Sequence, residues 1–174
     1  MKKLLLAMFI ALLMVGCGDE QEDNGIVESN HSPVKTIDLD HNETRNLVIA
    51  KAIDEDKLDV KGDCCDEILH APGEQKPYTG WVKSTYEDGS IFCLAQYKDG
   101  KENGSWVQWY RNGKKMEETI FNNGKILKVL VWKPDGICCP LTNVVNGNGL
   151  AVSYDQSGKE QRRSNYRNGE WVKD

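Results

Sequence analysis

The chain has 174 residues, of which 39% are hydrophobic and 28% charged, and its formal net charge is −5 at pH 7. This length allows one small domain with an appended segment. The acidic balance argues against a nucleic-acid-binding protein, which would carry a basic patch, and against electrostatic binding of the protein body to an anionic membrane.

Residues 1–16 have the pattern of a bacterial export signal. Lys2 and Lys3 precede an apolar run over residues 4–15, which is too short to cross a membrane as a helix. The run ends at Gly16-Cys17, and residues 14–17 resemble a bacterial lipobox. The resemblance implies that Cys17 is the lipidated first residue of the mature chain and holds it at a membrane of the cell envelope, with the folded part outside the cytoplasm. An ordinary signal peptide cleaved nearby, with Cys17 incidental, is the alternative.

Residues 17–46 are predicted to form a disordered tether. Five acidic residues precede the first basic residue, Lys35, and large apolar side chains are few. Such a composition does not bury enough apolar surface to offset the entropy of the chain. An acidic binding tail is the alternative interpretation.

The folded domain is expected to cover residues 47–174. Residues 47–53 and 58–60 are β-compatible, and the acidic residues 54–56 between them are predicted to form a connector. A further strand is predicted over residues 64–69, followed by a loop at 71–74.

Glycines then recur at nearly constant spacing, with steps of 11, 13, 11, 12, 11, 11 and 11 residues. They are Gly89, Gly100, Gly113, Gly124, Gly136, Gly147, Gly158 and Gly169. Asp or Asn precedes all of them except Gly158, which indicates tight turns; Asn112-Gly113 is predicted to be a type I′ turn. Every second glycine gives a period of 22–24 residues, which is typical of a repeat architecture.

The pattern predicts an all-β fold, an elongated stack of antiparallel hairpin repeats. The hairpins are placed at residues 80–103, 104–126, 127–148 and 149–171. The third is expected to be the least regular. Leu127 replaces the glycine that begins the others, and Pro140 removes a hydrogen-bond donor from its second strand.

Two columns of mainly aromatic residues keep a fixed distance from the turns. They are Tyr97, Phe121, Val144 and Tyr166, and Thr85, Trp109, Trp132 and Tyr154. We expect Trp109 and Trp132 to stabilise the sheet by packing. Trp106 lies three positions before their column and therefore on the opposite face of a regular strand, where its counterparts are Val82, Val129 and Ala151. We predict that Trp106 contacts a partner protein.

The cysteines do not form a recognisable metal-binding or redox motif. If Cys17 carries lipid, five cysteines remain, and five cannot all pair within one chain. They are Cys64, Cys65, Cys93, Cys138 and Cys139. No spacing among them is typical of a zinc site. We expect buried thiols with one bridge or none; a frame of two disulfides and a metal or redox role are the alternatives.

No catalytic motif is recognisable in the sequence. Hydrolase, zinc-protease and phosphate-loop motifs are absent from it, and Glu117-Glu118 is interpreted as part of a solvated face. We therefore expect no enzymatic activity, no cofactor and no metal site.

The units GWVKSTYEDGSIFCLAQYKDGK and GSWVQWYRNGKKMEETIFNNGK resemble the MORN-repeat variant of bacterial proteins named YwqK-family antitoxins. The Pro-Tyr-Thr-Gly at residues 77–80 also resembles the segment that leads into the repeats of that family. The resemblance covers about residues 56–171 and is weakest in the third hairpin. It implies stacked hairpins, no enzymatic activity and a protein partner, which for an antitoxin is a toxin.

Three functions are therefore considered. The first is a lipid-anchored interaction module or scaffold of the envelope. The second is an antitoxin or immunity protein, whose toxin would act outside the cytoplasm because of the export signal. The third is a thiol-dependent enzyme or redox protein.

Overall fold

The structure, a computed structural model, describes residues 34–62 and 67–173 and is built mainly of antiparallel strands. Its helices are α1 (Asn42–Lys51) and a short 3-10 helix (Glu55–Lys57). Its strands are β1 (Ile53–Asp54), β2 (Asp59–Lys61), β3 (Ile68–His70), β4 (Gly80–Thr85), β5 (Ile91–Lys98), β6 (Lys101–Trp109), β7 (Lys115–Asn122), β8 (Lys125–Val131), β9 (Gly149–Tyr154), β10 (Glu160–Arg167) and β11 (Glu170–Val172). The prediction of an all-β fold is confirmed at this coarse level.

The described strands form three sheets. A six-stranded sheet has the order β1-β4-β5-β6-β7-β8, a three-stranded sheet the order β11-β10-β9, and β2 pairs with β3. Strand β1 runs parallel to β4, and the remaining pairs are antiparallel. Consecutive antiparallel strands follow from the short turns, which leave no room for a crossover.

The turn glycines all adopt positive φ, but they belong to two kinds of turn. Asp99, Asn123 and Asn146 have φ of 50° and Asn168 has φ of 52°, so that two consecutive residues are left-handed, as a type I′ turn requires. At the alternate turns only the glycine is left-handed.

The type I′ prediction for Asn112-Gly113 is therefore wrong. The N–H of Tyr110 donates to the carbonyl of Lys114 at 2.9 Å, and the N–H of Gly113 donates to the carbonyl of Tyr110 at 2.9 Å. These bonds enclose a three-residue connection in which a type I turn precedes the left-handed glycine.

The glycines that begin three of the predicted hairpins lie opposite aromatic residues. Gly80 pairs with Tyr97, Gly104 with Phe121, and Gly149 with Tyr166. The space that a Cβ would need is taken at Gly80 by the side chain of Tyr78, at Gly104 by that of Gln96 and at Gly149 by Asn143. In the third hairpin Leu127 and Val144 occupy these two places, so both partners differ together.

The third hairpin is irregular, as predicted. Its return segment contains isolated bridges, Trp132 with Cys138 and Lys128 with Val145, instead of a strand. The six-stranded sheet ends here and the three-stranded sheet begins. Stacked turns join them: the N–H of Gly169 donates to the carbonyl of Gly147 at 2.9 Å, and the N–H of Ile126 to that of Gly169 at 3.1 Å.

The prediction of a strand at residues 47–53 and of order beginning near Leu47 is wrong. These residues belong largely to α1, and order extends further towards the N-terminus, since Leu39 is only 2% exposed. Val48 and Ala52 lie one helical turn apart and pack with Leu94 and Val107 of the sheet. Packing of one helical face thus overrides the β-propensity of the aliphatic run.

The remaining predictions for the start of the domain are close. The strand predicted at 58–60 corresponds to β2, and of the strand predicted at 64–69 the last two residues lie in β3, while residues 64–66 lie outside the described part of the chain. Of the predicted connector at 54–56, residues 55 and 56 belong to the 3-10 helix. Cys64 and Cys65 lie outside the described residues, as do the predicted signal at 1–16, Cys17 and the predicted tether up to residue 33. Within the described part of the chain, no helix has the length and apolar character needed to span a bilayer.

Substitution of two turn glycines tests the stacked arrangement of the turns. Gly113 has φ +79° and open space where a Cβ would lie, so Gly113→Ala should lower the free energy of unfolding by about 1–2 kcal/mol through backbone strain alone. A Cβ on Gly147, at φ +74°, would lie 2.4 Å from the nitrogen of Gly169. Gly147→Ala should therefore cost clearly more, as measured by urea denaturation. Equal losses would contradict the stacked turns.

Candidate functional site

The six-stranded sheet has two faces with different coverings. The helix face carries Leu94, Val107 and Trp109, on which α1 packs. The opposite face, called the cleft face, carries two cross-strand rows fixed by the strand register. They are Val82, Ala95, Trp106, Thr119 and Val129, and Ser84, Cys93, Gln108, Glu117 and Val131.

A cleft of about 350 Å³ lies between the cleft face and the β9–β10 end of the three-stranded sheet. Gln108, Glu117 and Val131 line it from the six-stranded sheet, and residues 153–156 line it from the other side. Val129 and Val131 also pack with Val152 and Tyr154, which holds the two sheets together beside the cleft.

Three bulged residues complete the lining. The register shifts by one residue at Phe92, Met116 and Gln161, which leaves each without a cross-strand partner. Each lies three residues after a turn glycine, and all three line the cleft. A bulge re-aims a side chain and bends its strand, so the same local device supplies one lining residue from each of three hairpins, the first, second and fourth.

Gln156 fixes the β9–β10 turn against the six-stranded sheet. Its side-chain nitrogen donates to the hydroxyl of Tyr86 at 3.1 Å, and its side-chain oxygen accepts from the N–H of Arg111 at 3.2 Å. The turn is thereby tied to the β4–β5 and β6–β7 turns, which closes one end of the cleft.

Glu117 is the most unusual group in the cleft. It is half-buried, and its carboxylate accepts a hydrogen bond from the hydroxyl of Thr119 at 2.8 Å. Burial raises the pKa of Glu117, and the hydrogen bond from Thr119 opposes this shift only in part. The interpretation of Glu117 as part of a solvated face is therefore wrong. Its neighbour Glu118 lies on the helix face and pairs with Lys115 at 2.7 Å.

Trp106 lies on the cleft face, one row from Glu117. It pairs with Ala95 and Thr119 across the strands, and it is half-buried. The predicted opposition of Trp106 and Trp109 on the two faces is confirmed. The partner contact predicted for Trp106 stays a prediction, and the small neighbours leave its ring within reach of a ligand in that face.

Trp109, the member of its column in the second hairpin, is structural. Trp109 is 3% exposed in the cluster beneath α1. The hydroxyl of Tyr86 donates to its carbonyl at 2.7 Å, and the hydroxyl of Tyr110 donates in the same way to the carbonyl of Trp132 at 2.7 Å. Trp132 is half-buried, with the Nζ of Lys115 5.0 Å from the centre of its ring.

The described thiols are buried, as predicted. Cys93 is 7% and Cys139 2% exposed, and both are free. Burial, with the charges of Glu55 and Glu117, raises the pKa of Cys93 far above its usual range. Burial also opposes ionisation of Cys139, but hydrogen bonds led by that from Tyr154, 3.2 Å from its sulfur, leave its pKa lowered.

Cys138 is disulfide-bonded. This agrees with the expectation of buried thiols with one bridge. Among the described residues, no three His, Cys, Asp or Glu side chains come together in a group that could hold a metal ion.

A second cleft, of about 450 Å³, lies beside the 3-10 helix. Glu55, Asp56 and Lys57 in its lining are exposed, and Asp54 pairs with Lys57 at 2.5 Å and with Lys83 at 3.8 Å. Exposed, mutually paired charges offer little to a ligand. The cleft beside Glu117 is therefore the candidate binding site.

Comparison with known protein families, with curated proteins and with solved structures gives no match. Neither the position of Glu117 in a cleft nor the bulged residues were predicted from the sequence. The bulged residues could have been identified in the sequence by their position, since each is the third residue after one of the turn glycines Gly89, Gly113 and Gly158.

The two tryptophans of β6 should differ in their effect on stability. Trp109→Ala should lower the free energy of unfolding by about 3–5 kcal/mol, because a large side chain is removed from the core. Trp106→Ala should cost less, because its ring is only half-buried. Chemical denaturation of both variants measures this. An equal loss for Trp106→Ala would make it a core residue and contradict its role as a partner contact.

Glu117 should make stability depend on pH. Its folded-state pKa is raised, so the folded state is favoured most below the unfolded value, near 4.5, and loses stability as the pH rises through the folded value. Glu117→Gln cannot ionise and should raise the melting temperature at about pH 7, with a gain that shrinks towards the acidic end. Glu118→Gln, on the other face, should give no gain. A lower melting temperature for Glu117→Gln at neutral pH would contradict the burial of the carboxylate.

Proposed function

We propose that the chain is a non-enzymatic, lipid-anchored interaction module of the bacterial cell envelope, built of MORN-variant repeats, which binds a protein partner in the cleft. The observation that carries the proposal is the cleft itself. It is lined by apolar residues and a half-buried carboxylate, and the half-buried Trp106 lies in the neighbouring row of the same face, which together have the composition of a binding surface.

Equivalent contacts in successive hairpins support the repeat assignment. The N–H groups of Asp99, Asn123 and Asn168 each donate to the side chain of the residue twenty positions earlier. These acceptors are Thr79, Asn103 and Asn148, at 2.9, 3.1 and 3.1 Å. The hydrogen bonds from Tyr86 to the carbonyl of Trp109 and from Tyr110 to the carbonyl of Trp132 also recur. These recurring bonds link neighbouring hairpins, as contacts between repeat units do.

The state of the buried thiols supports binding over thiol chemistry. Nucleophilic cysteines combine exposure with a lowered pKa. Cys93 is buried with a strongly raised pKa, and Cys139 is almost inaccessible. The two properties are not combined in either residue.

The path of the N-terminal segment fits an anchor on the side away from the cleft. The N–H of Ile37 donates to the hydroxyl of Ser105 at 3.4 Å, Leu39 is buried in the cluster on the helix face, and Asp40 pairs with Lys115 at 2.7 Å. The described chain thus begins on the helix face. A lipid at Cys17 would leave the opposite face free for a partner, and an antitoxin or immunity protein would use that face for its toxin.

Fractionation tests the anchor. Cys17→Ser should abolish acyl labelling and move the protein from the membrane to the soluble fraction, because the lipid supplies the membrane affinity. Cys93→Ser serves as the matched control and should leave labelling unchanged. Unchanged labelling of Cys17→Ser would refute lipidation. Affinity capture from membranes then tests partner binding, which Trp106→Ala should weaken while the protein stays folded.

A further inference from the structure

The charges around the cleft are unbalanced. Its lining contains two carboxylates, Glu117 and Asp155, and no lysine or arginine. Asp155 is already occupied by its own turn, since one of its oxygens accepts hydrogen bonds from Ser157 and Lys159 at 2.6–3.0 Å. Glu117, whose carboxylate accepts one hydrogen bond, is therefore the less engaged of the two acidic groups.

Glu117 lacks a cationic partner among the described residues. Its carboxylate accepts one hydrogen bond, from Thr119, whereas Glu118 is paired with Lys115. Two cations beside the cleft contact aromatic rings: the Nζ of Lys133 lies 5.2 Å from the ring centre of Tyr154, and the guanidinium of Arg111 lies 4.4 Å from that of Tyr86. A half-buried carboxylate without a counter-charge is costly, and an incoming cation offsets that cost.

The rest of the lining suits the stem of a long cationic side chain. Phe92, Met116 and Val131 provide apolar surface, and Gln108 lies directly across the strand pair from Glu117. Lysine and arginine bury their methylene groups against apolar surface while the charged end finds polar partners. The cleft offers both kinds of contact in one place.

We propose that the cleft binds a lysine or arginine side chain of the partner protein, with Glu117 accepting hydrogen bonds from its charged end. This inference rests on the proposed function, because it assigns the chemistry of the group that enters the cleft. Apolar contacts hold the stem, and Trp106, one row away, covers the adjoining backbone of the partner.

Capped peptides test the inference without the membrane or the natural partner. The probes are Ala-Ala-Lys-Ala-Ala, its arginine analogue and its norleucine analogue, which keeps the stem of lysine and lacks the charge. They are titrated to about 10 mM, a range that detects even millimolar affinities, and the Met116 methyl and Tyr154 ring resonances are followed by NMR. We expect the lysine or arginine peptide to shift both resonances, and the norleucine peptide to bind at least about tenfold more weakly.

Variants on the two faces of β7 give the matched control. Glu117→Gln should weaken binding of the cationic peptide at least about tenfold, because it removes the charge. Glu118→Gln should leave that affinity unchanged. Absence of shifts for the cationic peptides, equal binding of the norleucine peptide, or unchanged binding by Glu117→Gln would each overturn the proposal.

A small polycation is the competing source of the same charge. Spermidine is titrated in parallel, and binding tighter than that of the peptides would assign the cleft to a free polyamine instead of a partner side chain. The peptide titration and the capture of a partner test the two proposals separately. Peptide binding without any partner captured from membranes would keep the cation site and refute the interaction module, and the reverse result would refute only the cation site.

Discussion

The left-handed glycine turn is the constraint on which the rest of this structure depends. At four alternate turns a single left-handed glycine closes a three-residue connection, and after three of them the strand that follows carries an extra residue. That residue is Phe92, Met116 or Gln161, each three positions after its glycine. The same turn chemistry thus sets the strand register and directs one side chain of each of these three hairpins into the cleft.

Local features of the structure were predictable because they arise from neighbours in sequence. The Asn-Gly and Asp-Gly turns, the disruption at Pro140 and the opposite orientation of Trp106 and Trp109 all follow from backbone geometry and strand alternation. The helix at Asn42–Lys51 was not predictable in this way. Its aliphatic residues are compatible with a strand, and it is stabilised by contacts with Leu94 and Val107, which lie far along the chain.

The role of Glu117 was hidden for a related reason. Alternation shows that Glu117 and Glu118 face opposite sides, but it does not show which side becomes enclosed. That depends on the three-stranded sheet folding back across the cleft face, where Gln156 ties its turn to Tyr86 and Arg111. The enclosed carboxylate weakens the folded state at neutral pH while creating a place for a cation, a compromise that is common at binding sites.

The interrupted third hairpin affects whether copies of the molecule associate through their sheet edges at high local concentration. An open sheet normally presents a terminal strand whose free backbone groups recruit another chain and seed aggregation. Here one terminal strand, β1, has two residues, and the other, β8, is shielded by the proline-containing segment that follows it. The two edges of the six-stranded sheet are thereby short or covered, which disfavours edge-to-edge pairing through this sheet.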